Sequence, residues 1–179
     1  DAGRRCLVII CRRRGAGNHH ARVFPLTGLM CGITQGRNAA IMSGLYLHIP
    51  FCRRKCPYCD FFSVAGHDPH RRGYPGLLRR HLLWAVGHGW GGPVDTVYFG
   101  GGTPSLLSPR VVGELLATIA RHFDLAEDAE ITLEANPGTV TPKNLAGYLA
   151  AGVNRLSLGL QSLDPQQLST LGRLHGREE

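Results

Sequence analysis

Apolar residues along this chain follow two periods that alternate. Gly44 to Ile49 is a short apolar run that reads as a strand. From Arg71 to Val86, Leu77, Leu78, Leu82, Leu83 and Val86 recur at helical spacing, with Arg79, Arg80 and His81 on the other side. That pattern predicts a helix laid over a sheet, stopped by the Gly87 to Pro93 stretch. Val94 to Phe99 is the next predicted strand. Ser108-Pro109 then opens a helix, serine capping and proline in the first turn, whose apolar face is Val112, Leu115, Leu116, Ile119 and Ala120. In Ala129 to Glu134, Ile131 and Leu133 alternate with Glu130, Thr132 and Glu134, as in a half-buried strand. Thr141-Pro142 and Asp164-Pro165 repeat the cap-and-proline device for two further helices, with a strand from Asn154 to Leu160 between them. The order βαβαβαβα predicts an α/β fold with parallel strands and right-handed crossovers. Four such units are too few for a closed eight-stranded barrel and fit part of an open one.

Immediately after the first strand come three thiols in eight residues, Cys52, Cys56 and Cys59, spaced Cys-x3-Cys-x2-Cys. Three thiolates this close converge on one centre only if the loop wraps a metal or cluster. A 4Fe–4S cluster with three protein thiolates keeps one iron open to an exogenous group. Zinc is the competing reading and needs a fourth ligand, for which His48 and Cys31 are the candidates. The bland reading is a loop of reduced cysteines. Arg53, Arg54 and Lys55 between them suit an anionic cluster or substrate, or simply solvate the loop.

The other polar candidates also fall where strands should end, the rim on which βα folds build their sites. Gly100-Gly-Gly-Thr103-Pro104 exposes backbone N–H groups to a small charged ligand, or merely turns the chain. Glu134 is placed to accept from an ammonium or a ribose hydroxyl, or is a solvated strand-end charge. Gln161 offers an amide to a ribose or purine edge, or caps the next helix. Arg173 pairs with a carboxylate or lies on a helix surface. His48 flanks the thiol loop, toward a porphyrin or proton path, or is a half-buried strand histidine.

Composition narrows the class. The chain has 179 residues, 43% hydrophobic and 18% charged, which is ordinary for a soluble globular protein. The formal charge of +7 would suggest a nucleic-acid partner, but residues 1–41 hold seven arginines against the single Asp1 and the rest of the chain is nearly balanced. No nucleic-acid partner and no membrane insertion are expected. Six cysteines, three of them scattered at Cys6, Cys11 and Cys31, fit a metal site in a reducing compartment rather than a disulfide framework. Residues 1–41 are expected to be unstructured or non-native: a mitochondrial transit peptide or upstream sequence read in frame, with Met42 as a natural start. Residues 42–179 form the folded unit, expected to be an N-terminal fragment with an exposed parallel edge.

Cys-x3-Cys-x-aromatic-Cys resembles the signature of the radical S-adenosylmethionine enzymes. The flanking Tyr46-Leu-His-Ile-Pro-Phe-Cys52 and Cys56-Pro-Tyr-Cys59-Asp-Phe-Phe62 resemble the oxygen-independent coproporphyrinogen III oxidase-like subfamily and its HemW-like heme chaperones. The resemblance implies a partial (βα)6 TIM-like barrel with a 4Fe–4S cluster on Cys52, Cys56 and Cys59 and S-adenosylmethionine on its open iron. It further implies that Tyr46, Tyr58, Gly101, Gly102, Thr103, Glu134, Gln161 and Arg173 contact S-adenosylmethionine, Tyr58 near the adenine. The oxidase typically carries another cysteine shortly after the third ligand, whereas here Asp60 and Phe61 follow Cys59. That departure favours the heme-chaperone branch over a decarboxylating oxidase. The implied partners are heme or porphyrin, a heme-acceptor protein and a reductant such as flavodoxin or ferredoxin, in the cytoplasm or, with a transit peptide, the mitochondrion.

Overall fold

The computed structural model describes residues 8–13, 42–66 and 69–178. In chain order the elements are β1 (Val8–Arg13), β2 (Met42–Ile49), β3 (Phe51–Cys52), β4 (Val64–Ala65), α1 (Tyr74–Ala85), β5 (Pro93–Gly101), α2 (Pro109–His122), β6 (Asp124–Ala135), α3 (Pro142–Ala150), β7 (Arg155–Leu158) and α4 (Pro165–Thr170). The main sheet has the order β1-β2-β5-β6-β7. Strands β2, β5, β6 and β7 are mutually parallel, as the alternating pattern predicts.

Strand β1 falls within the segment 1–41. Residues 1–41 read as an unstructured or non-native extension, yet Val8–Arg13 pairs antiparallel with β2 from Val8↔Leu47 to Arg13↔Met42. The β-branched Val8-Ile9-Ile10 run supplies backbone groups to the outer edge of β2, which would otherwise be unpaired. The remainder of that segment lies outside the described residues. Strand β6 is also longer than its apolar alternation suggests, because Asp124, Glu127 and Asp128 disguise its first half. The register with β5 shifts between Val94 and Thr96, so that half pairs separately from the rest.

The two sheet faces are chemically distinct. Leu45, Leu47 and Ile49 of β2, Val97 and Phe99 of β5 and Leu133 of β6 are essentially fully buried together with Leu78 and Leu82 of α1 and Val112, Leu115 and Ile119 of α2. Each such side chain contributes about 1.5–3 kcal/mol relative to exposure, so this face holds the helices onto the sheet. The alternate positions carry Tyr46, Tyr98 and Thr132 in one register row, with Glu134 two residues along β6. That second face holds the polar groups, and the residues at its carboxyl-terminal rim form the site. At the far edge, β7 leaves Leu156 and Leu158 exposed.

Candidate functional site

The thiol loop is tied at both ends by a feature the sequence pattern does not reveal. Phe51–Cys52 pairs in parallel with Val64–Ala65. Val64 N donates to Pro50 O at 2.6 Å and Gly66 N to Cys52 O at 3.1 Å, so the chain leaves the rim and returns beside its own start. Within the loop Cys59 N donates to Cys56 O at 3.0 Å. Arg53 Nη1 donates to Gly138 O at 2.7 Å and Arg54 Nη2 donates to Gly172 O. The basic insert therefore anchors the loop to the segments after β6 and α4, which the solvated-loop reading leaves out. Beneath the loop, Phe51 packs edge-on against Tyr74, and the Tyr74 hydroxyl donates to His48 O at 2.8 Å.

The glycine turn closes directly on this loop. Gly102 N donates to Ile49 O at 2.8 Å, and a Cβ on Gly102 would stand 2.8 Å from Phe51 O and 2.9 Å from Cys52 Sγ. Only a residue without a side chain lets the turn come this near. Thr103, buried, donates through Oγ1 to Cys52 Sγ at 3.6 Å and accepts from Asn136 Nδ2 at 3.1 Å. Gly101, at φ 116, donates its N–H to Glu134 Oε2 at 3.0 Å, and Tyr98 donates its hydroxyl to Oε1 at 2.7 Å. Each carboxylate oxygen thus has one native donor and a lone pair to spare for a ligand.

Tyr46 stacks on Tyr98 at 5.8 Å, and its hydroxyl lies 3.4 Å from His48 Nδ1. Burial, with the Glu134 carboxylate next, pushes the Tyr46 phenol up to about 12, so it remains a hydrogen-bonding hydroxyl at neutral pH. His48 Nε2 lies 2.9 Å from Phe62 O and the ring stacks on Phe62. Burial lowers its pKa, which favours the neutral imidazole. With both nitrogens engaged, His48 belongs to the strand network and not to a zinc site; Cys31 lies outside the described residues.

Arg173 joins the two halves of the rim. Its Nη1 donates to Cys56 Sγ at 3.4 Å and approaches the Tyr58 hydroxyl at 3.5 Å, while Nη2 donates to Asn136 Oδ1 and to Gly159 O. Its Nε is buried and has no acceptor. Tyr58 is half exposed, with its pKa raised chiefly by desolvation. Gln161, by contrast, is exposed and sits at φ 70 just past β7 rather than in the Tyr98–Glu134–Gly101 network. Sequence reading missed Asn136 and Tyr98. Asn136 holds both Thr103 and Arg173, and its only signal is its place in Glu134-Ala-Asn-Pro-Gly138 directly after a rim carboxylate.

Among the described residues no three His, Cys, Asp or Glu side chains converge on a single-ion position. Structural zinc requires such convergence, with sulfurs near 2.3 Å from one point. A cubane cluster binds thiolates at separate corners, so its ligands share a loop without sharing a point. Cys52, Cys56 and Cys59 are free, partly exposed thiols on one tied loop, and a small cleft of about 100 Å³ lined by Cys56, Thr103, Asn136 and Arg173 opens beside them. Three free thiols on one tied loop beside a polar cleft are a donor set of the kind that a cluster with an adjoining ligand takes.

Comparison with known proteins agrees with this geometry. Residues 46–179 match the sequence model of the Radical SAM superfamily. The chain is 49% identical over 137 residues to the "Heme chaperone HemW" of Escherichia coli strain K12, covering 75% of this chain and 36% of that protein. It is 41% identical over 145 residues to the mouse "Radical S-adenosyl methionine domain-containing protein 1, mitochondrial", covering 79% and 32%. Among solved structures, coproporphyrinogen III oxidase (HemN) from Escherichia coli, described as a radical SAM enzyme, superposes with a TM-score of 0.69 at 27% identity over 76% of this chain and 32% of that one. The chain spans about a third of the length of the relatives it matches.

Proposed function

Because the chain belongs to the radical SAM superfamily, we propose that its thiol loop holds a 4Fe–4S cluster, that the adjoining rim holds S-adenosylmethionine, and that the protein carries heme to acceptor proteins. Cys52, Cys56 and Cys59 would be the cluster ligands. A cluster held there would supply one electron for reductive cleavage of S-adenosylmethionine to methionine and a 5'-deoxyadenosyl radical. The Gly101-Gly102 backbone, the spare lone pairs of Glu134, the Tyr46 hydroxyl and the unpaired Nε of Arg173 would orient an amino acid carboxylate and ammonium beside the loop. Thr103, Tyr58 and Gln161 complete the proposed contact set.

The observation that carries this reading is that one strand-end rim joins the glycine turn to Cys52 through Thr103, and Asn136 to Cys56 through Arg173. Such an arrangement couples a sulfur cage to a polar ligand cradle. Heme carriage rests on the relatives named heme chaperones, which are closer in sequence than the oxidase. The second reading is oxidative decarboxylation of coproporphyrinogen III, favoured by the superposition on the oxidase. No described helix is long and apolar enough to cross a membrane. We place the protein in the cytoplasm, with the mitochondrion as the alternative suggested by the mouse relative's name, and assign a flavodoxin or ferredoxin as reductant.

The test is anaerobic reconstitution with iron and sulfide. Iron and sulfide in equal amounts, with loss of the brown chromophore in Cys52→Ala, Cys56→Ala and Cys59→Ala, is the expected result; zinc in their place would overturn the cluster. With S-adenosylmethionine, a reductant and coproporphyrinogen III, the chaperone reading expects heme transfer to an apo-acceptor without protoporphyrinogen. Appearance of protoporphyrinogen would select the oxidase.

A further inference from the structure

The bonds that run between Cys52 and Cys56 pass through one side-chain amide. Asn136 Nδ2 donates to Thr103 Oγ1 at 3.1 Å, and Asn136 Oδ1 accepts from Arg173 Nη2. A guanidinium has only donors to offer, so Arg173 fixes which end of the amide faces it. The nitrogen end is thereby turned to Thr103, whose oxygen must accept from it. A hydroxyl owns a single proton. Since its oxygen accepts from Asn136, Thr103 directs that proton at Cys52 Sγ, 3.6 Å away. On the other branch Arg173 Nη1 donates to Cys56 Sγ at 3.4 Å. One amide thus aims a neutral donor at one sulfur and a cationic donor at another. Its surroundings hold it still. The Asn136 backbone is fixed separately by the turn after β6, where its N–H donates to Thr139 Oγ1 at 3.3 Å and its carbonyl accepts from that hydroxyl at 2.7 Å. Gly159 borders the amide so closely that a Cβ there would stand 2.7 Å from Asn136 Oδ1, and its carbonyl shares Arg173 Nη2. Thr103 is 3% exposed, which leaves bulk water little access to its hydroxyl.

We propose that Asn136 is a positioning residue that sets the reduction potential of the cluster, by aiming the Thr103 hydroxyl at Cys52 and the Arg173 guanidinium at Cys56. The inference rests on the cluster reading and adds a control to it. Reduction puts negative charge on the cluster and its thiolates. Donors aimed at those sulfurs stabilise the reduced form and raise the potential, the cationic one most. An Asn136 that only closed the end of β6 would change stability and leave the potential where it is.

The full chain, reconstituted anaerobically and assayed for iron and sulfide, is titrated with dithionite without S-adenosylmethionine while electron paramagnetic resonance follows the reduced cluster. Asn136→Ala should lower the midpoint potential by at least the equivalent of a tenfold change in the reduction equilibrium, about 59 mV for one electron. Thr103→Val removes the hydroxyl at nearly constant shape and should shift the potential the same way by less, and Thr103→Ser should restore it. In the double variant the two shifts should sum to less than their separate values, because Asn136 acts partly through Thr103. Asn136→Ala with a full cluster and an unaltered potential would overturn the proposal, as would equal potentials in Thr103→Val and Thr103→Ser. Should Asn136→Ala retain no cluster, the Thr103 pair decides alone. Wild-type protein that takes up no iron and sulfide would instead sink the cluster reading itself.

Discussion

At Gly102 a single methyl group would press on both Phe51 O and Cys52 Sγ, and Phe51 O is backbone that cannot swing aside. Gly102→Ala should therefore push the glycine turn off the thiol loop, costing about 1–3 kcal/mol in thermal or denaturant unfolding and lowering the iron retained after reconstitution. Iron content equal to wild type would show that the close approach has no part in holding the cluster. Gln161 is a different case, since it is the one non-glycine residue with positive φ among the described residues. A side chain in that region costs about 1–2 kcal/mol, part of which glycine's larger unfolded-state entropy would cancel. Gln161→Gly should thus raise stability by about 0.5–1 kcal/mol, and if the amide reaches the ligand it should also weaken S-adenosylmethionine binding. Isothermal titration and melting curves read the two effects separately. A more stable variant with undiminished affinity would remove Gln161 from the ligand site.

The helices announce their starts in residues that also bond as expected. Ser108 accepts from Val111 N, Thr141 from Asn144 N, and Asp164 from Gln166 N and Gln167 N, each one residue before a proline. Ser108→Ala should cost about 1 kcal/mol in chemical denaturation, with no change at the rim, because α2 begins on the far side of the Thr103–Leu106 turn from the sulfurs. A loss under about 0.3 kcal/mol would mean that packing of Val112, Leu115 and Ile119 fixes the helix start without the cap. Strands were legible where apolar residues alternate or run together, as in β2 and the second half of β6. They were not legible where charge or brevity hides them: the acidic start of β6, and the two-residue β3 and β4, whose pairing across the thiol loop depends on residues thirteen apart meeting in space.

Across the whole molecule, stability should depend on pH through histidines that the fold partly buries. Burial lowers the pKa of His48 below its usual 6.5, so the unfolded chain binds the proton more readily than the folded one. The contribution is fully present above that ordinary value and is lost as pH falls through the lowered one. Thermal midpoints measured from pH 8 to pH 5 should fall for the wild type and fall less for His48→Asn; parallel curves would mean that the histidine is not the group responsible. At this scale the division between sequence and structure is plain. The sequence by itself determined the βα order, the helix caps, the thiol triplet and the rim candidates Glu134, Gly101 to Thr103 and Arg173, because periodicity and spacing are local properties. Tertiary structure alone decided that Asn136 joins Thr103 to Arg173, that Arg53 and Arg54 tie the loop down, and that Val8–Arg13 completes an edge. Those are meetings between groups up to 118 residues apart, and a contact between distant residues leaves no period for a linear reading to find.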